Sequence, residues 1–368
     1  MKSRQWLAVV PLTGALAMGV AACGSSSNGS TGSTSGSGGS VNATLNGAGS
    51  TFAAPIYQQF GSNLKDQGLT INYQSVGSGA GVAQFTAGTV DFGASDPPLK
   101  PEEITAAKKK GDPLQFPVAF GAITVSYNLS GVKTGLKLDG KTIADIFLGK
   151  VKKWSDPEIA SQNSGVSLPS SNITVVHRSD ESGTTKGFTG FLEAYSPTWK
   201  SQVGSDKTVK WPTGTGAKGN EGVAAAIKQT SGSIGYVEQA YALQNNFTFA
   251  NVKNKSGKYI APTLASTSAA GDGVSVPSNL GFTVIDSPNA AAYPISSQTF
   301  VLFYKDLCKA GMIQAKAKGA ATFLNYVYGD GQNVLKQLSY APLPAAIASK
   351  AKAQVSQLQC NGSPVSGS

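Results

Sequence analysis

Residues 178–188 read RSDESGTTKGF and follow directly on the apolar run ITVVH at 173–177. The apolar run predicts a buried strand, and the spacing of Phe188, Leu192 and Tyr195 predicts an amphipathic helix. Between the two lies a turn of Gly with Ser and Thr. Glycine lets the backbone approach a ligand closely, and the start of a helix presents unpaired N–H groups and the positive end of its dipole. This stretch therefore predicts a turn that binds an anion.

Two further stretches share the layout of strand, Gly-Ser/Thr turn and helix: GAGSTFAAP at 47–55 and VGSGAG at 76–81. Hydroxyl groups add hydrogen-bond donors without charge, and Arg178 adds a planar cation that can bind two oxygen atoms at once. Each turn alone is equally typical of a helix cap. Three of them in one chain, one carrying an arginine, predict a site for a small oxyanion.

Strand and helix patterns alternate along the chain, which predicts an α/β fold with central sheets. Residues 41–368 are more than one hydrophobic core comfortably supports, so two lobes are expected. Outside the first stretch, Leu69, Ile71 and Tyr73 form a strand pattern, and so do residues 299–304. Helix patterns are formed by Ile56, Phe60 and Leu64 and by Val223, Ala226 and Ile227.

The N-terminus has the pattern of an export signal. Lys2 and Arg4 precede an apolar run at 6–22, which Pro11 interrupts. This run is short for a membrane span of about 20 apolar residues, so it predicts a signal peptide.

The end of the signal resembles the lipobox of bacterial lipoproteins, because residues 20–23 read VAAC. The resemblance implies cleavage before Cys23, an acyl anchor such as palmitate carried on its sulfur, and retention on the outer face of the cell membrane. An ordinary secretory signal with an incidental cysteine is the alternative. Residues 24–40 contain only Gly, Ser, Thr and Asn, which predicts a flexible tether.

The formal charge of the chain is +10, and +8 once the two positive charges of the signal are removed. Residues 108–110 are the only lysine triple and stand near Glu102 and Glu103, a pattern typical of a short, exposed and solvated helix. With no aromatic residues between the basic ones, no nucleic-acid partner is expected.

The few cysteine and histidine residues limit the kinds of site that the chain can form. Apart from Cys23, the chain has Cys308 and Cys360, which are either joined in a disulfide that ties down the C-terminal tail or are two unrelated buried thiols. His177 is the only histidine, so a His-based metal site or a Ser-His-Asp triad has almost nothing to be built from. It is interpreted as a packing residue, and no metal, cofactor or enzymatic activity is expected.

Seven segments, in this order, resemble the substrate-binding proteins of bacterial ABC phosphate importers: GAGSTF, NYQSVGSGAG, VDFGASDPPL, IFLGKVKKW, RSDESGTT, KQTSGSIGYV and YPISSQTFVLFYKD. The resemblance covers nearly the whole chain after the tether. It implies a two-lobed periplasmic-binding-protein fold of type II, with a mixed sheet flanked by helices in each lobe. It also implies a monomer that closes on inorganic phosphate and delivers it to a membrane permease.

The same resemblance implies the division of the chain. The expected segments are a signal peptide at 1–22, the lipidated cysteine and tether at 23–41, the first part of lobe I at 42–122, lobe II at 123–293 and the second part of lobe I at 294–368. The chain is expected to leave lobe I near 118–126 and to return near 293–298.

Carried over motif by motif, the resemblance implies that phosphate is bound by Thr51, Phe52, Ser78, Asp96, Arg178, Ser182, Gly183 and Thr184. Asp180 would pair with Arg178 and fix its orientation, or else serve as a helix cap. A carboxylate at an anion site would repel its ligand, but Asp96 can accept the proton that phosphate carries and sulfate lacks. The alternative for Asp96 is a turn residue before two prolines.

The family pattern is broken at Ala53, where proline is frequent, and at Ala80, where glycine or a small polar residue is frequent. Three other functions compete with phosphate transport. They are the binding of sulfate or molybdate, an extracellular phosphatase with Ser182 or Thr51 as nucleophile, and a surface adhesin or ligand sensor. Asp96 argues against the first, and the lack of a histidine base or metal-ligand cluster near either hydroxyl argues against the second.

Overall fold

The computed structural model describes residues 41–365, which form a mixed α/β fold. The strands are β1 Ala43–Gly49, β2 Leu69–Ser75, β3 Phe92–Ser95, β4 Pro113–Asn128, β5 Lys137–Leu138, β6 Thr174–Arg178, β7 Thr215–Ala217, β8 Ser233–Glu238, β9 Thr248–Phe249, β10 Asn251–Lys253, β11 Tyr259–Ile260, β12 Ser296–Tyr304, β13 Gln359–Cys360 and β14 Ser363–Pro364. The helices are α1 Ala54–Leu64, α2 Ser78–Ala87, α3 Pro101–Ala107, α4 Gly140–Phe147, α5 Pro157–Ala160, α6 Gly183–Tyr195, α7 Pro197–Gln202, α8 Gly219–Gln229, α9 Gln239–Gln244, α10 Leu264–Ala269, α11 Gln314–Val327, α12 Asp330–Leu335 and α13 Ala345–Val355, with single 3₁₀ turns at Lys65–Gln67 and Lys336–Leu338.

The strands of the main sheet lie in the order β2-β1-β3-β12-β4-β8-β6-β7, and β9 pairs with β4. At one end β1 is parallel to β2 and β3, and at the other β6 is parallel to β7 and β8. Parallel neighbours need crossover connections, which α1 and α2 supply at the first end and α6, α7 and α8 at the second. Between these ends β12 is antiparallel to β3 and β4, and β4 is antiparallel to β8.

Strand β4 belongs to both parts of this sheet. Its residues up to Ala122 pair with β12, and from Ile123 onward it pairs with β8. We call β2, β1, β3, β12 and the first part of β4 lobe I, and the rest of β4 with β8, β6 and β7 lobe II, each with the helices packed on it. The returning chain lies beside this change of partner. The Ile295 carbonyl accepts the N–H of Ile123 at 2.8 Å, and the Tyr293 hydroxyl donates to the Ile123 carbonyl at 2.9 Å.

Aromatic side chains fix the helices that matter for the site. In lobe I the ring of Tyr57, on α1, packs 5.8 Å from that of Phe92, which packs 5.6 Å from Phe323. In lobe II the ring of Phe188, on α6, stacks 4.3 Å from that of Tyr236. All five side chains are fully buried. Large buried rings dominate core energetics, so they hold α1 and α6 in place where these helices begin after β1 and β6.

The strand-turn-helix predictions are confirmed at all three places, as β1 to α1, β2 to α2 and β6 to α6. The lysine triple departs from its prediction. Helix α3 ends at Ala107, and the lysines occupy the turn after it, whose backbone N–H groups at Lys110 and Gly111 donate back to the Ala107 carbonyl. Gly111 and Pro113 follow shortly, and since both disfavour helix, they limit how far α3 can extend.

Cys308 and Cys360 form a disulfide with their Cα atoms 4.7 Å apart. It ties β13 to the segment after β12, where the N–H of Leu307 also donates to the Gln359 carbonyl at 2.8 Å. The predicted signal peptide, Cys23 and most of the tether lie outside the described residues. Among the helices of residues 41–365, none has both the length and the apolar content that a membrane crossing requires.

Candidate anion-binding site

Four helices begin at the boundary between the lobes. Helices α1 and α2 come from lobe I, and α6 and α8 from lobe II. The lobes touch here, because the N–H of Gly79 donates to the Glu181 carbonyl at 3.1 Å and the N–H of Asn220 donates to Thr51 Oγ1 at 3.1 Å. Helix starts carry unpaired N–H groups and a positive dipole end, so this boundary favours an anion.

Asp96 is the acidic group of the site. It follows β3 and is only 1% exposed. Its Oδ1 accepts the hydroxyls of Ser50 at 2.5 Å and Thr299 at 2.9 Å, and its Oδ2 accepts that of Ser78 at 3.3 Å. Burial raises the pKa of Asp96 from 3.8 to about 6, although these hydrogen bonds and the charge of Arg178 act to lower it. At neutral pH the group is therefore a buried, hydrogen-bonded carboxylate.

The start of α6 lies directly against this carboxylate. A Cβ atom on Gly183 would stand 2.3 Å from Asp96 Oδ2 and 2.4 Å from Ser78 Oγ. Real Cβ atoms do not approach oxygen so closely, so only glycine fits. Three of the predicted site residues, from two lobes and far apart in sequence, therefore meet at one point.

Arg178 supplies the buried cation. Its Nε and Nη2 donate to the two oxygens of Asp180 at 2.7 and 2.6 Å, and its Nη1 reaches Thr184 Oγ1 at 3.5 Å. Burial alone would raise the pKa of Asp180, but the hydrogen bonds and charge of Arg178 hold it below its usual value. Asp180 also accepts the N–H of Gly219, at the start of α8, at 3.0 Å. The geometry fits the orienting role predicted for Asp180.

Ser182 and Phe52 each have a second structural task. The Ser182 oxygen accepts the N–H of Thr185 at 3.0 Å and so caps α6, which leaves the hydroxyl proton to be donated. The Phe52 ring is fully buried 5.9 Å from that of Tyr340, and its carbonyl accepts the Tyr340 hydroxyl at 2.5 Å. Only the backbone of Phe52 is therefore placed to serve a ligand.

Several residues at the site were not found from the sequence. Ser50 and Thr299 hold Asp96, Asn220 joins Thr51 to Thr184, and the Tyr236 hydroxyl accepts the N–H of Arg178 at 3.1 Å. The residues GNEG at 219–222 are a signal that could have pointed to Asn220, since they repeat the Gly-and-polar start seen in the other turns. Thr299 gave no such signal, because it lies inside an apolar strand.

His177 has the packing role predicted for it. Its ring stacks on that of Trp211 at 4.6 Å, and its Nδ1 lies 3.0 Å from the Arg178 carbonyl. Burial lowers its pKa. Within residues 41–365 no group of three or more His, Cys, Asp or Glu side chains could hold a metal ion.

The arrangement is one of many donors and a single acceptor. Helix starts, threonine and serine hydroxyls and the Arg178 guanidinium gather around the buried Asp96 carboxylate. Such a set suits a small oxyanion whose oxygens accept hydrogen bonds and which carries a proton for the one acceptor.

Comparison with known proteins gives consistent results. Residues 29–331 match the PBP superfamily domain. The Phosphate-binding protein PstS of Pasteurella multocida is 43% identical over 315 residues, which cover 84% of this chain and 89% of that protein. Phosphate-binding protein PstS 3 of Mycobacterium leprae is 36% identical over 366 residues, with 95% and 98% covered. A solved structure of a high affinity periplasmic phosphate-binding protein (PfluDING) bound with phosphate has the same fold, with a TM-score of 0.69 at 23% identity over 84% of this chain and 93% of that one.

Proposed function

The chain belongs to the PBP superfamily and, within it, to the family of the phosphate-binding PstS proteins, and we propose on that basis that it captures inorganic phosphate for an ABC importer. It is a substrate-binding protein of a transport system and not an enzyme. The observation that carries the choice of phosphate is Asp96, a buried carboxylate set among hydrogen-bond donors. It can accept the proton of phosphate, whereas fully ionised sulfate would leave it facing an unpaired negative charge.

The proposed ligand set is the predicted one: Thr51, Phe52, Ser78, Asp96, Arg178, Ser182, Gly183 and Thr184. Backbone N–H groups at the starts of α1, α2 and α6, the hydroxyls of Thr51, Ser182 and Thr184 and the guanidinium donate to phosphate oxygens. The Ser78 hydroxyl donates to Asp96, which accepts the remaining phosphate proton. Asp180 orients Arg178 and does not contact the ligand. The charge-assisted hydrogen bonds are the strong ones in this set.

The proposed division of the chain places lobe I at 42–122 and 294–368 and lobe II at 123–293. The change of partner in β4 at Ile123 and the return of the chain beside it support these limits. Phosphate bound between the lobes would contact both, so it stabilises the closed arrangement. Surfaces of the two lobes together then present the closed protein, acting as a monomer, to the membrane permease.

The proposed location is the outer face of the cell membrane. It rests on the export signal and on Cys23, whose acylation would leave the domain on the tether at 24–40. A Cys23→Ala variant is expected to leave the membrane fraction and appear in the soluble extracytoplasmic fraction. If wild-type protein is itself found only in the soluble fraction, the lipid anchor is wrong while phosphate capture stands.

Growth on limiting phosphate tests transport, using a strain that lacks its own phosphate-binding protein but keeps a matching permease. Wild-type chain should restore growth and an Arg178→Ala variant should not. Failure of the folded, exported wild-type chain to support uptake favours the adhesin or sensor alternative. Turnover of p-nitrophenyl phosphate by the purified protein would support the phosphatase alternative.

A further inference from the structure

Asn220, the second residue of α8, lies between the lobes and is fully buried. Its Oδ1 accepts the backbone N–H of Glu238 at 2.9 Å. Because a backbone N–H can only donate, this contact fixes which end of the amide points where. The Nδ2 atom consequently donates to Thr51 Oγ1 of lobe I at 2.8 Å and to Thr184 Oγ1 of lobe II at 3.2 Å.

These contacts fix the direction of the hydrogen bonds that the Thr51 and Thr184 hydroxyls can make. A hydroxyl oxygen has two acceptor positions and one proton to donate. Thr51 Oγ1 accepts both the backbone N–H and the Nδ2 of Asn220, at 3.1 and 2.8 Å. Thr184 Oγ1 accepts Nδ2 of Asn220 and lies 3.5 Å from the donor Nη1 of Arg178. With its acceptor positions occupied, each hydroxyl can only donate its proton to a further group.

We propose that Asn220 is a positioning and specificity-determining residue, which holds the Thr51 and Thr184 hydroxyls as donors toward the bound oxyanion without contacting that ligand itself. The proposal rests on the proposed function of the site. Asn220 makes the site selective for ligand oxygens that accept, and it leaves Asp96 as the side chain that accepts a ligand proton. It also joins the lobes through the same hydroxyls, so closure and donor direction are set together.

The test is calorimetric titration of inorganic phosphate into protein freed of bound phosphate. In Asn220→Asp the Nδ2 donor becomes a carboxylate oxygen that only accepts, so both hydroxyls turn toward residue 220 and away from the ligand. Losing two hydrogen bonds to a charged ligand should weaken phosphate binding about 100-fold or more. Asn220→Ala, which removes the side-chain amide and adds no charge, should weaken it about tenfold.

A Thr184→Val background separates donor direction from added charge. If Asn220 acts through the hydroxyls, each Asn220 substitution costs several-fold less affinity in this background than in wild type, whereas a pure charge or packing effect costs the same in both. Ser75→Ala is the matched control, since it removes another hydrogen bond to α8, from Ser75 Oγ to Glu221 at 2.9 Å, and should change affinity less than threefold.

Three results would overturn the proposal. They are equal losses in the two backgrounds, wild-type affinity in Asn220→Asp, and losses at Ser75→Ala as large as those at Asn220. If the aspartate variant does not fold, as judged by thermal unfolding, the alanine variant alone carries the comparison. Absence of phosphate binding by wild-type protein is a different outcome, because it refutes the proposed function and the inference together.

Discussion

Gly183, the first residue of α6 in lobe II, lies against the Asp96 carboxylate of lobe I so closely that a Cβ atom would stand 2.3 Å from its Oδ2. The fit between the lobes at the site therefore depends on the absence of one methyl group. We expect Gly183→Ala to hold the lobes apart and to weaken phosphate binding about 100-fold, because the donors of α6 then no longer reach a ligand held by lobe I.

Gly190→Ala is the control for this substitution, since it makes the same change on the same helix. Among the described residues, its new Cβ would meet only Ser205 Oγ, at 3.4 Å. It should keep wild-type affinity and gain about 0.4–1 kcal/mol in stability from the better helix propensity of alanine. Calorimetry gives the affinities, and small-angle scattering with phosphate gives the degree of closure. A Gly183→Ala protein that closes and binds like wild type would contradict the close contact.

Asp96 predicts how sulfate binding changes with pH. Sulfate has no proton for the carboxylate, so it can bind well only when Asp96 is itself protonated and becomes a donor. With the pKa of Asp96 raised by burial to about 6, sulfate affinity should rise about tenfold per pH unit as pH falls from 8 to 6, then level off. Asp96→Asn should show no such slope. A flat profile in wild type would mean that Asp96 does not face the ligand.

Glu238 predicts how stability changes with pH. It is fully buried at the end of β8, its Oε1 has no hydrogen-bond partner among residues 41–365, and burial raises its pKa well above 4.5. Between pH 4.5 and the folded-state pKa the folded protein keeps this proton and the unfolded chain loses it, so stability falls as pH rises through that range. Removing the titration with Glu238→Gln should raise the free energy of unfolding at pH 8.

Denaturant unfolding of wild type and Glu238→Gln at pH 5 and pH 8 measures this effect. The amide keeps an acceptor for the Ala240 N–H, which donates to Glu238 Oε2 at 2.7 Å. The gain in stability should therefore be large at pH 8 and small at pH 5. The same difference at both values would show that Glu238 is ionised in the folded protein.

The disulfide predicts a change in stability without a change in binding. Cys308 and Cys360 close a loop with a sequence separation of 52, for which a bond typically contributes about 2–4 kcal/mol. The bond lies beyond the end of β12 that is remote from Thr299. Cys308→Ser with Cys360→Ser should lower the free energy of unfolding by about that amount and leave phosphate affinity within twofold. A loss of affinity comparable with that of Gly183→Ala would contradict this prediction, because it would show that the disulfide is needed to hold the binding site in place.

The sequence allows the local units of the site to be predicted, because each turn is written within about ten consecutive residues. Gly, Ser and Thr between a strand pattern and a helix pattern indicate where helices begin. The contacts between the two lobes, in contrast, cannot be read from any short stretch of sequence. The Thr299 hydroxyl that holds Asp96 is 203 residues away from it, and Asn220 meets Thr51 across 169 residues. Both depend on how β12 and α8 pack, which periodicity does not report.

The lysine triple shows the same limit on a smaller scale. The sequence pattern predicted a helix through residues 108–110, but α3 ends at Ala107, and the helix-disfavouring Gly111 and Pro113 follow shortly. Conversely, the resemblance implied that Asp180 orients Arg178, which stands two residues before it in the sequence. That spacing is short enough for the side chains to meet whatever the tertiary packing, and the two form a bidentate pair.

The account depends most on the claim that Asp96 reads the proton of phosphate. Its most direct test is a calorimetric titration of phosphate and of sulfate into wild-type protein and Asp96→Asn at pH 7.5. Because this pH lies about 1.5 pH units above the Asp96 pKa of about 6, wild-type protein should bind phosphate more tightly than sulfate by a factor on the order of 10² or more, and the substitution should reduce that ratio to about tenfold or less. Equal binding of the two anions by wild-type protein would contradict the account.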